Sequence, residues 1–174
     1  NCLLVLDAKT GERVWHYQLV HHDLWDRDLP ASPNLIELTI NQETIEAVAQ
    51  ITKSGHVFLF HRETGKPIFP IEERPFPPSD LKEEEAWPTQ PIPTIPPPFA
   101  RQQLKPGDIT QISPESNRLM SAKLKSVRSG GQFVPPSAAG TVIFPGFDGG
   151  GEWGGAAWDP ATEWLYVNAN EMPW

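Results

Sequence analysis

The feature of this 174-residue chain that most limits its fold is a strand–turn–strand pattern that occurs three times. The clearest copy, "LLVLDAKTGERVWHY" at 3–17, has an apolar run, a turn at Asp7 to Gly11, and a second run ending in aromatic residues. Apolar runs on either side of such a turn are typical of β-hairpins. The pattern recurs in "HVFLFHRETGKPIF" at 56–69 and more loosely in "GAAWDPATEWLYVNA" at 155–169. Hairpins that repeat in this way bury their faces against one another, which favours a β-propeller.

Composition indicates a folded chain and excludes some partners. Apolar residues make up 39% of the chain, enough for a core, and the formal net charge of −8 argues against a nucleic-acid partner. Cys2 is the single cysteine, which excludes an internal disulfide and Cys-based zinc patterns. The N-terminus has neither an initiator Met nor the features of a signal peptide, so we expect the chain to begin inside a longer domain.

The segment 67–106, between the second and third copies, is rich in proline: 12 of its 40 residues. Proline cannot donate to a central strand ladder, so the segment is predicted to be a long surface loop. A disordered linker or an SH3-type ligand are the alternatives. We favour an extended segment pinned across the propeller surface, because apolar residues interleave with the prolines: Phe69, Ile71, Phe76, Trp87, Ile92, Ile95 and Phe99.

The first copy, D-A-K-T-G-E-R-V-W, resembles the tryptophan-docking motif of quinoprotein dehydrogenases, enzymes that use pyrroloquinoline quinone (PQQ) in an eight-bladed propeller. Other stretches follow the order and wording of the membrane-bound glucose dehydrogenase branch: "VHHDLWDRDLPASPNL", "TKSGHVFLFHRETGKPIFPIEERPFPPSD", "PTQPIPTIPPPFAR", "TVIFPGFDGGGEWGGAAWDP" and "LYVNANEMPW". The resemblance covers nearly the whole chain. It implies that residues 1–174 are a central slice, about three blades, of a single catalytic domain, with a proline-rich insertion at 67–106.

The resemblance also implies a function. It predicts an enzyme that uses PQQ with Ca²⁺ or Mg²⁺, oxidises glucose or a related sugar or alcohol, and passes electrons to a membrane quinone. Such enzymes face the periplasm at the inner membrane, and the anchor of that branch lies outside this chain. The isolated slice is expected to be inactive without the remainder of the propeller. Two alternatives stay open: a non-catalytic propeller that serves as a scaffold, and a PQQ-dependent alcohol dehydrogenase with another substrate.

The stretch "HHDLWDRD" at 21–28 is the most crowded with ionisable groups. By the resemblance, Asp26 is similar to the catalytic base, since a carboxylate can take the hydroxyl proton while hydride moves to the quinone. The same carboxylate is a candidate ligand for the divalent cation. Without the resemblance, Asp26 would be assigned to a turn or cap. Trp25 is expected to pack, and Asp23 and Asp28 are expected to cap the loop or remain solvated.

The adjacent His21 and His22 suggest a zinc hydrolase only weakly. Neighbouring residues on an extended segment point in opposite directions, and no third distant ligand is evident in the sequence. We interpret His22 as a hydrogen-bonded support for the loop.

The resemblance assigns further residues to the cofactor. Lys53 would contact the quinone oxygens, where an ammonium stabilises the charge of the reduced ring; by itself it would be an ordinary surface lysine. Asn168 resembles an asparagine beside the cofactor, where an amide both donates and accepts. In the glycine-rich stretch 145–159 no helix and no Lys-Ser/Thr follows, so a phosphate-binding loop is rejected and close backbone approach is expected. Trp153 and Gly154 are candidates for the cofactor floor, with packing between blades an equal alternative for Trp153.

Overall fold

A computed structural model describes residues 1–174 of the protein, which contain nine β-strands and one α-helix. All strand pairs are antiparallel, in four small sheets of order β1-β2, β3-β4-β5, β6-β7 and β8-β9. The elements are β1 (Cys2–Leu6), β2 (Arg13–Gln18), β3 (Asn34–Ile40), β4 (Glu43–Ile51), β5 (Val57–His61), β6 (Ile71–Pro75), β7 (Thr89–Pro93), α1 (Pro114–Ser126), β8 (Ala156–Asp159) and β9 (Trp164–Val167), with a 3-10 turn at Pro106–Asp108. The mostly β fold class is confirmed.

The turn of the first copy closes as its residues predict. Asp7 Oδ1 accepts hydrogen bonds from the backbone N–H groups of Lys9 and Thr10, each at 2.9 Å. Gly11 takes a left-handed φ of 74° and donates its N–H to the Asp7 carbonyl at 2.8 Å. Glycine adopts this backbone conformation without the steric cost that a Cβ would add. The turn therefore fixes the β1–β2 hairpin.

Three antiparallel layers stack face to face, with β3-β4-β5 in the middle. Side chains of a strand alternate between the two faces of a sheet, so β4 and β5 each place one set of side chains on each face. One set packs against the β1–β2 hairpin: Val48, Phe58 and Phe60 with Leu3, Trp15 and Leu19. The other set packs against the β8–β9 hairpin: Ala47, Ala49, Ile51 and Val57 with Trp158, Leu165 and Val167. The layers are arranged as neighbouring blades of a propeller are expected to be.

Trp15 joins the first layer to the second. Its indole Nε1 donates to the Arg62 carbonyl at 2.9 Å, and its ring covers Gly65 in the turn after β5. A Cβ added at Gly65 would lie 2.5 Å from the Trp15 ring, and Gly65 has a φ of 67°. In the third copy Glu163 stands at this position and instead accepts hydrogen bonds from Thr39 N and Oγ1, at 3.1 and 2.8 Å. Glycine is therefore required where the tryptophan docks.

Replacing Gly65 with Ala should destabilise the complete protein by about 1–3 kcal/mol beyond the cost of the left-handed φ, because the new Cβ overlaps the Trp15 ring. The free energy of unfolding, measured by urea titration, checks this. Gly11→Ala is the matched control, since Gly11 has a φ of 74° and no atom within 4 Å of an added Cβ. Equal losses in the two variants would contradict the docking contact.

The proline-rich segment is not loop throughout, so that prediction is wrong for part of it. β6 and β7 pair over 71–75 and 89–93. Both strands of a two-stranded ribbon are edges, which is where proline is tolerated. The ribbon is pinned as expected, because Ile92 is buried in a cluster with Trp25 and Phe133.

Two other elements differ from the sequence prediction. The second copy forms β5 and its turn, but the return strand is reduced to a single bridge between Phe60 and Pro67. The helix α1 was not predicted. It has a recognisable start, since the Ser113 side chain accepts from Ser116 N and Pro114 opens the first turn.

Candidate functional site

The loop that carries Asp26 is held in place by its neighbours. Trp25 is buried, donates from Nε1 to the Val134 carbonyl at 2.8 Å, and packs edge-on against Phe133. Asp23 accepts from the N–H groups of Trp25 and Arg27, at 2.9 and 2.7 Å. The packing role of Trp25 and the capping role of Asp23 are therefore confirmed. Asp26 itself has a φ of 56°, a conformation uncommon for a residue with a side chain and frequent at functional sites.

Asp26 and Lys53, 27 residues apart in the chain, meet in the structure. Lys53 Nζ lies 2.9 Å from Asp26 Oδ2, 2.7 Å from Asp28 Oδ1 and 3.8 Å from Glu152 Oε1. The Lys53 side chain is 9% exposed, whereas that of Asp26 is 59% exposed. Lys53 is thus a buried cation and not a surface lysine. Asp28, expected only to cap or stay solvated, is instead an ion-pair partner of Lys53, which is a correction to the sequence analysis.

The charge state of Lys53 follows from these contacts. Burial lowers the pKa of Lys53, but hydrogen bonds and charge from Asp28 and Asp26 outweigh burial, and its pKa is raised above the ordinary value. Lys53 is therefore an ammonium at neutral pH, and each of its two nearest carboxylates has a cation beside it.

Glycines at 149 and 150 allow the backbone to close around Lys53. Gly150 donates its N–H to the Lys53 carbonyl at 2.6 Å. A Cβ at Gly149 would lie 2.5 Å from Lys53 Cγ, and one at Gly150 would lie 2.8 Å from the Cα of Gly55. Close backbone approach, as predicted, explains these glycines.

Arg27 is a site residue that sequence reasoning missed. It is fully buried, and its guanidinium donates to the carbonyls of Pro145 and Gly146, at 2.5 and 3.2 Å. Burial lowers the pKa of Arg27 to about 10, although the negative charges of Asp23 and Asp26 act to raise it. The guanidinium therefore stays cationic at neutral pH. Arg27 therefore ties the Asp26 loop to the beginning of the glycine-rich stretch. No sequence signal could have shown this, because an arginine in a loop is usually exposed.

The remaining predicted cofactor residues lie along the same glycine-rich loop. Asn168 directly follows β9, and a Cβ at Gly154 would lie 3.6 Å from its Nδ2. Trp153 is 84% exposed, so nothing in this chain packs against it as a neighbouring blade would. Glu152, beside Trp153, is the third carboxylate near Lys53. The loop therefore connects the Asp26–Lys53 pair with Gly154 and Asn168.

His21, and not His22, supports the loop by hydrogen bonds. His22 is exposed, at a φ of 38°, and its side chain makes no hydrogen bond, so its predicted role as a support is wrong. His21 supports the loop instead: its Nε2 lies 3.0 Å from Glu73 Oε1, and its backbone N–H donates to Gln90 Oε1 at 2.8 Å. Both contacts reach the β6–β7 ribbon.

The chain contains no group of three or more His, Cys, Asp or Glu side chains that could hold a metal ion. Asp26 offers a carboxylate that already accepts from Lys53. By themselves, the residues of this chain do not make a metal site.

None of the helices of this chain has the length and apolar character needed to cross a membrane.

Comparison with known proteins gives one consistent result. A family profile described as "PQQ: Glucose/ethanol/alcohol dehydrogenase, beta-propeller domain" matches residues 1–174. The chain is 35% identical over 179 residues to the quinoprotein glucose dehydrogenase of Escherichia coli (strain K12), covering 99% of this chain and 22% of that protein. It is 37% identical over 174 residues to the enzyme of the same name from Gluconobacter oxydans (strain 621H), covering 98% and 21%. A quinate/shikimate dehydrogenase (quinone) of Acinetobacter baylyi is 36% identical, covering 95% and 21%.

Among solved structures, a europium-containing methanol dehydrogenase matches with a TM-score of 0.58 and 21% identity, covering 99% of this chain and 24% of that chain. At that identity the likeness shows the fold alone. The stacked hairpins and this likeness define the class as a fragment of a β-propeller. Because the profile matches throughout, the chain belongs to the PQQ glucose/ethanol/alcohol dehydrogenase family. It spans about a fifth of the length of the curated relatives described above.

Proposed function

We propose that the chain is the part of a PQQ-dependent dehydrogenase that carries the catalytic base, and that the complete enzyme oxidises glucose or a related sugar or alcohol. The Asp26–Lys53 pair is the observation that carries this proposal. Relatives are named as dehydrogenases of glucose, quinate or shikimate, and glycerol, all of which are compounds with hydroxyl groups. A carboxylate beside an ammonium suits the oxidation of such a group, since one can hold a proton and the other can balance negative charge.

Asp26 acts as the base in this proposal. Its Oδ2 accepts from Lys53, and its Oδ1 makes no hydrogen bond, so Oδ1 can receive the hydroxyl proton of the substrate. Once Asp26 is protonated it no longer holds Lys53 by charge. Asp28, at 2.7 Å, still does, and therefore keeps the ammonium in position through that step.

The residues around this pair fit PQQ, a flat ring system that carries carbonyl and carboxylate groups. Lys53 Nζ and Asn168 Nδ2 are donors for those oxygens. The exposed indole of Trp153 and the side-chain-free Gly154 suit the face of a flat ring. When bound, PQQ would supply the hydride acceptor that oxidation of the substrate carbon requires. The Lys53 charge favours the reduced ring, which is the more negative form.

A divalent cation, Ca²⁺ or Mg²⁺, is the other proposed cofactor. Asp26 would supply a single carboxylate oxygen to it. The other ligands would come from residues outside 1–174, because this chain has no cluster that could bind the ion alone. Both cations prefer oxygen ligands, so an aspartate is a suitable donor.

We place residues 1–174 within a single propeller catalytic domain, whose remaining blades complete the site. Apolar side chains are exposed on both outer layers: Leu4, Leu6 and Val14 on the β1–β2 hairpin, and Trp164 and Tyr166 on β9. Exposed apolar faces of this kind are typical of surfaces that a neighbour covers. The complete enzyme is proposed to act at the periplasmic face of the inner membrane and to pass electrons to a membrane quinone.

The isolated 174-residue chain should have no dehydrogenase activity and should associate, because its outer layers and cofactor contacts are incomplete. A dye-linked assay of glucose oxidation with added PQQ and Ca²⁺ or Mg²⁺, together with size-exclusion chromatography, checks both statements. Oxidation of glucose by the isolated chain would contradict the first, and a monomeric elution volume would contradict the second.

Replacing Lys53 with Ala in the complete enzyme should lower both PQQ affinity and turnover by about tenfold or more, because a charge-assisted contact to the cofactor is lost in both its oxidised and reduced forms. Reconstitution of the apoenzyme with PQQ measures the affinity. Lys82→Ala is the control, since the Lys82 side chain is 92% exposed, and it should change neither quantity. Normal reconstitution and turnover in Lys53→Ala would contradict the cofactor role.

One assay separates the main proposal from its alternatives. The complete protein, loaded with PQQ, is tested for dye reduction with glucose, glycerol, quinate and ethanol as substrates. Glucose as the best substrate supports the proposal, whereas preference for another compound supports an alcohol dehydrogenase of different specificity. A protein that binds no PQQ and oxidises none of them would be the non-catalytic scaffold.

A further inference from the structure

The helix α1 forms one wall of a cavity that is mostly apolar. Its volume is about 520 Å³, within the range of small-molecule sites. The other walls come from the segments 104–110, 140–142 and 173–174. Apolar side chains on the walls include Leu104, Met120, Leu124, Val127, Val142 and Trp174. None of the proposed base and cofactor residues lines this cavity.

The helix α1 lacks the buried face that a packed helix has. A surface helix of a folded protein normally buries a stripe of apolar side chains against the core, yet no residue of α1 is buried. Met120 is 45% exposed, and Leu124 is only half-buried. Both side chains line the cavity. The apolar face of α1 is therefore open to a ligand that enters there.

Lys123 is the one polar side chain of the wall that has no partner within the chain. The others are engaged: Asp108 pairs with Arg101 at 2.8 Å, Thr110 accepts from Ile112 N at 3.4 Å, Thr141 donates to the Pro135 carbonyl at 3.2 Å, and Trp174 donates to Asp148 at 3.1 Å. Lys123 is exposed and also lines the cavity, so it lies at the mouth. It forms no ion pair. A free ammonium therefore stands beside an apolar space.

The neighbouring sequence adds to this positive charge. Residues 112–128 contain four cationic side chains and a single carboxylate, Glu115, although the whole chain has a net charge of −8. Arg118 and Lys125, which also lie on α1, form no ion pair either, and Arg128 lies 3.6 Å from Asp80. A local excess of one charge attracts ligands of the other. The charge at this cavity therefore fits an anion, even in an acidic chain.

We propose that this cavity binds a long-chain fatty acid, a molecule with one carboxylate on an unbranched apolar chain. The carboxylate pairs with the Lys123 ammonium, and the chain lies against Met120, Leu124 and Trp174. The flexible side chain of methionine adapts to such a chain. A polyol would find few hydrogen-bonding groups free on the wall. The inference does not rest on the proposed dehydrogenase function.

The test is photolabelling of the complete holoenzyme with a dodecanoate that carries a diazirine near the end of its chain. Mass spectrometry of the peptides should find saturable labelling at the walls of the cavity. The half-saturating concentration should rise by about tenfold in Lys123→Gln, because a charge-assisted hydrogen bond is lost. Lys125→Gln is the matched control, since Lys125 is an exposed lysine of the same helix outside the cavity, and it should change nothing.

A second pair of variants tests the apolar wall. Met120→Gln should raise the half-saturating concentration by about fivefold, because it places a polar group against the chain of the ligand. Leu119→Gln is its control, at a 61% exposed position outside the cavity. All four substitutions are at exposed residues, so the variants should fold.

Competition on the unsubstituted holoenzyme separates charge from chain. Unlabelled dodecanoate should displace the probe, whereas dodecanol, which lacks the charge, and butanoate, which lacks the chain, should each be at least tenfold less effective. No labelling of the cavity walls, or equal shifts in Lys123→Gln and Lys125→Gln, would overturn the proposal. These measurements do not depend on whether the enzyme oxidises glucose, so failure of this proposal is distinguishable from failure of the proposed function.

Discussion

Replacing Asp26 with Asn should lower the turnover of the complete enzyme by roughly a hundredfold or more, because general-base catalysis typically contributes that much. The amide keeps the size of the side chain but cannot take the hydroxyl proton. Folding should be nearly unchanged, since Asp26 is more than half exposed and its main partner, Lys53, retains Asp28. Steady-state turnover, with circular dichroism as a check on folding, measures both effects.

Asp80→Asn is the matched control, since the Asp80 side chain is 62% exposed and far in sequence from the site, and it should leave the rate unchanged. Asp28→Asn should give an intermediate loss, because its contact with Lys53 makes it part of the ion-pair cluster. Added Ca²⁺ or Mg²⁺ should improve cofactor binding in Asp26→Asn without restoring its rate, if Asp26 is both base and ligand. Normal turnover in Asp26→Asn would mean that the base lies elsewhere.

Replacing Trp25 with Ala should destabilise the complete protein by about 3–5 kcal/mol, the usual cost of removing a fully buried aromatic side chain. The change also leaves the Val134 carbonyl without its indole donor. Because Trp25 immediately precedes Asp26, turnover should fall as well. Urea titration gives the loss of stability, and the dye-linked assay gives the loss of activity.

Trp153→Ala is the matched control for the Trp25 variant, since it deletes the same side chain from an 84% exposed position. Measured without cofactor, its stability should change by less than about 0.5 kcal/mol. Its PQQ affinity should nevertheless fall if Trp153 lines the cofactor floor. A loss of stability in Trp25→Ala as small as that expected for Trp153→Ala would show that the Trp25 loop contributes little to the fold.

Local chemistry predicted much of the fold. The Asp7 to Gly11 turn needs only contacts between near neighbours, and the structure shows them. The β3–β4 hairpin, by contrast, lies outside the three copies of the pattern, and it forms two strands of the central layer. Its place there depends on packing against the first and third layers. Such contacts between distant parts of the chain are not visible in a local pattern.

The candidate site likewise combines residues that the sequence predicted with contacts that it did not. The sequence resemblance pointed to Asp26 and Lys53, and the structure brings them within 2.9 Å. The resemblance did not indicate that Asp28 also binds Lys53 or that Arg27 is buried under the glycine-rich stretch. Arg27 donates to backbone carbonyls more than 100 residues downstream, at 145 and 146. Asp28 meets Lys53 because a residue 25 positions along the chain folds back onto the loop. A sequence motif identifies the type of residue, but burial is determined by what folds against it.

The docking of Trp15 onto Gly65 has a consequence for how the protein opens. The Trp15 indole belongs to the first layer, and the turn that it covers belongs to the second. Neither layer can therefore detach without breaking the contact between them. Stability then resembles that of repeat proteins, in which each unit is held chiefly by its nearest neighbours. The middle sheet, which has a partner on each face, cannot unravel until one partner has left. In the isolated chain we therefore expect loss of order to start at the two outer hairpins and to move inward.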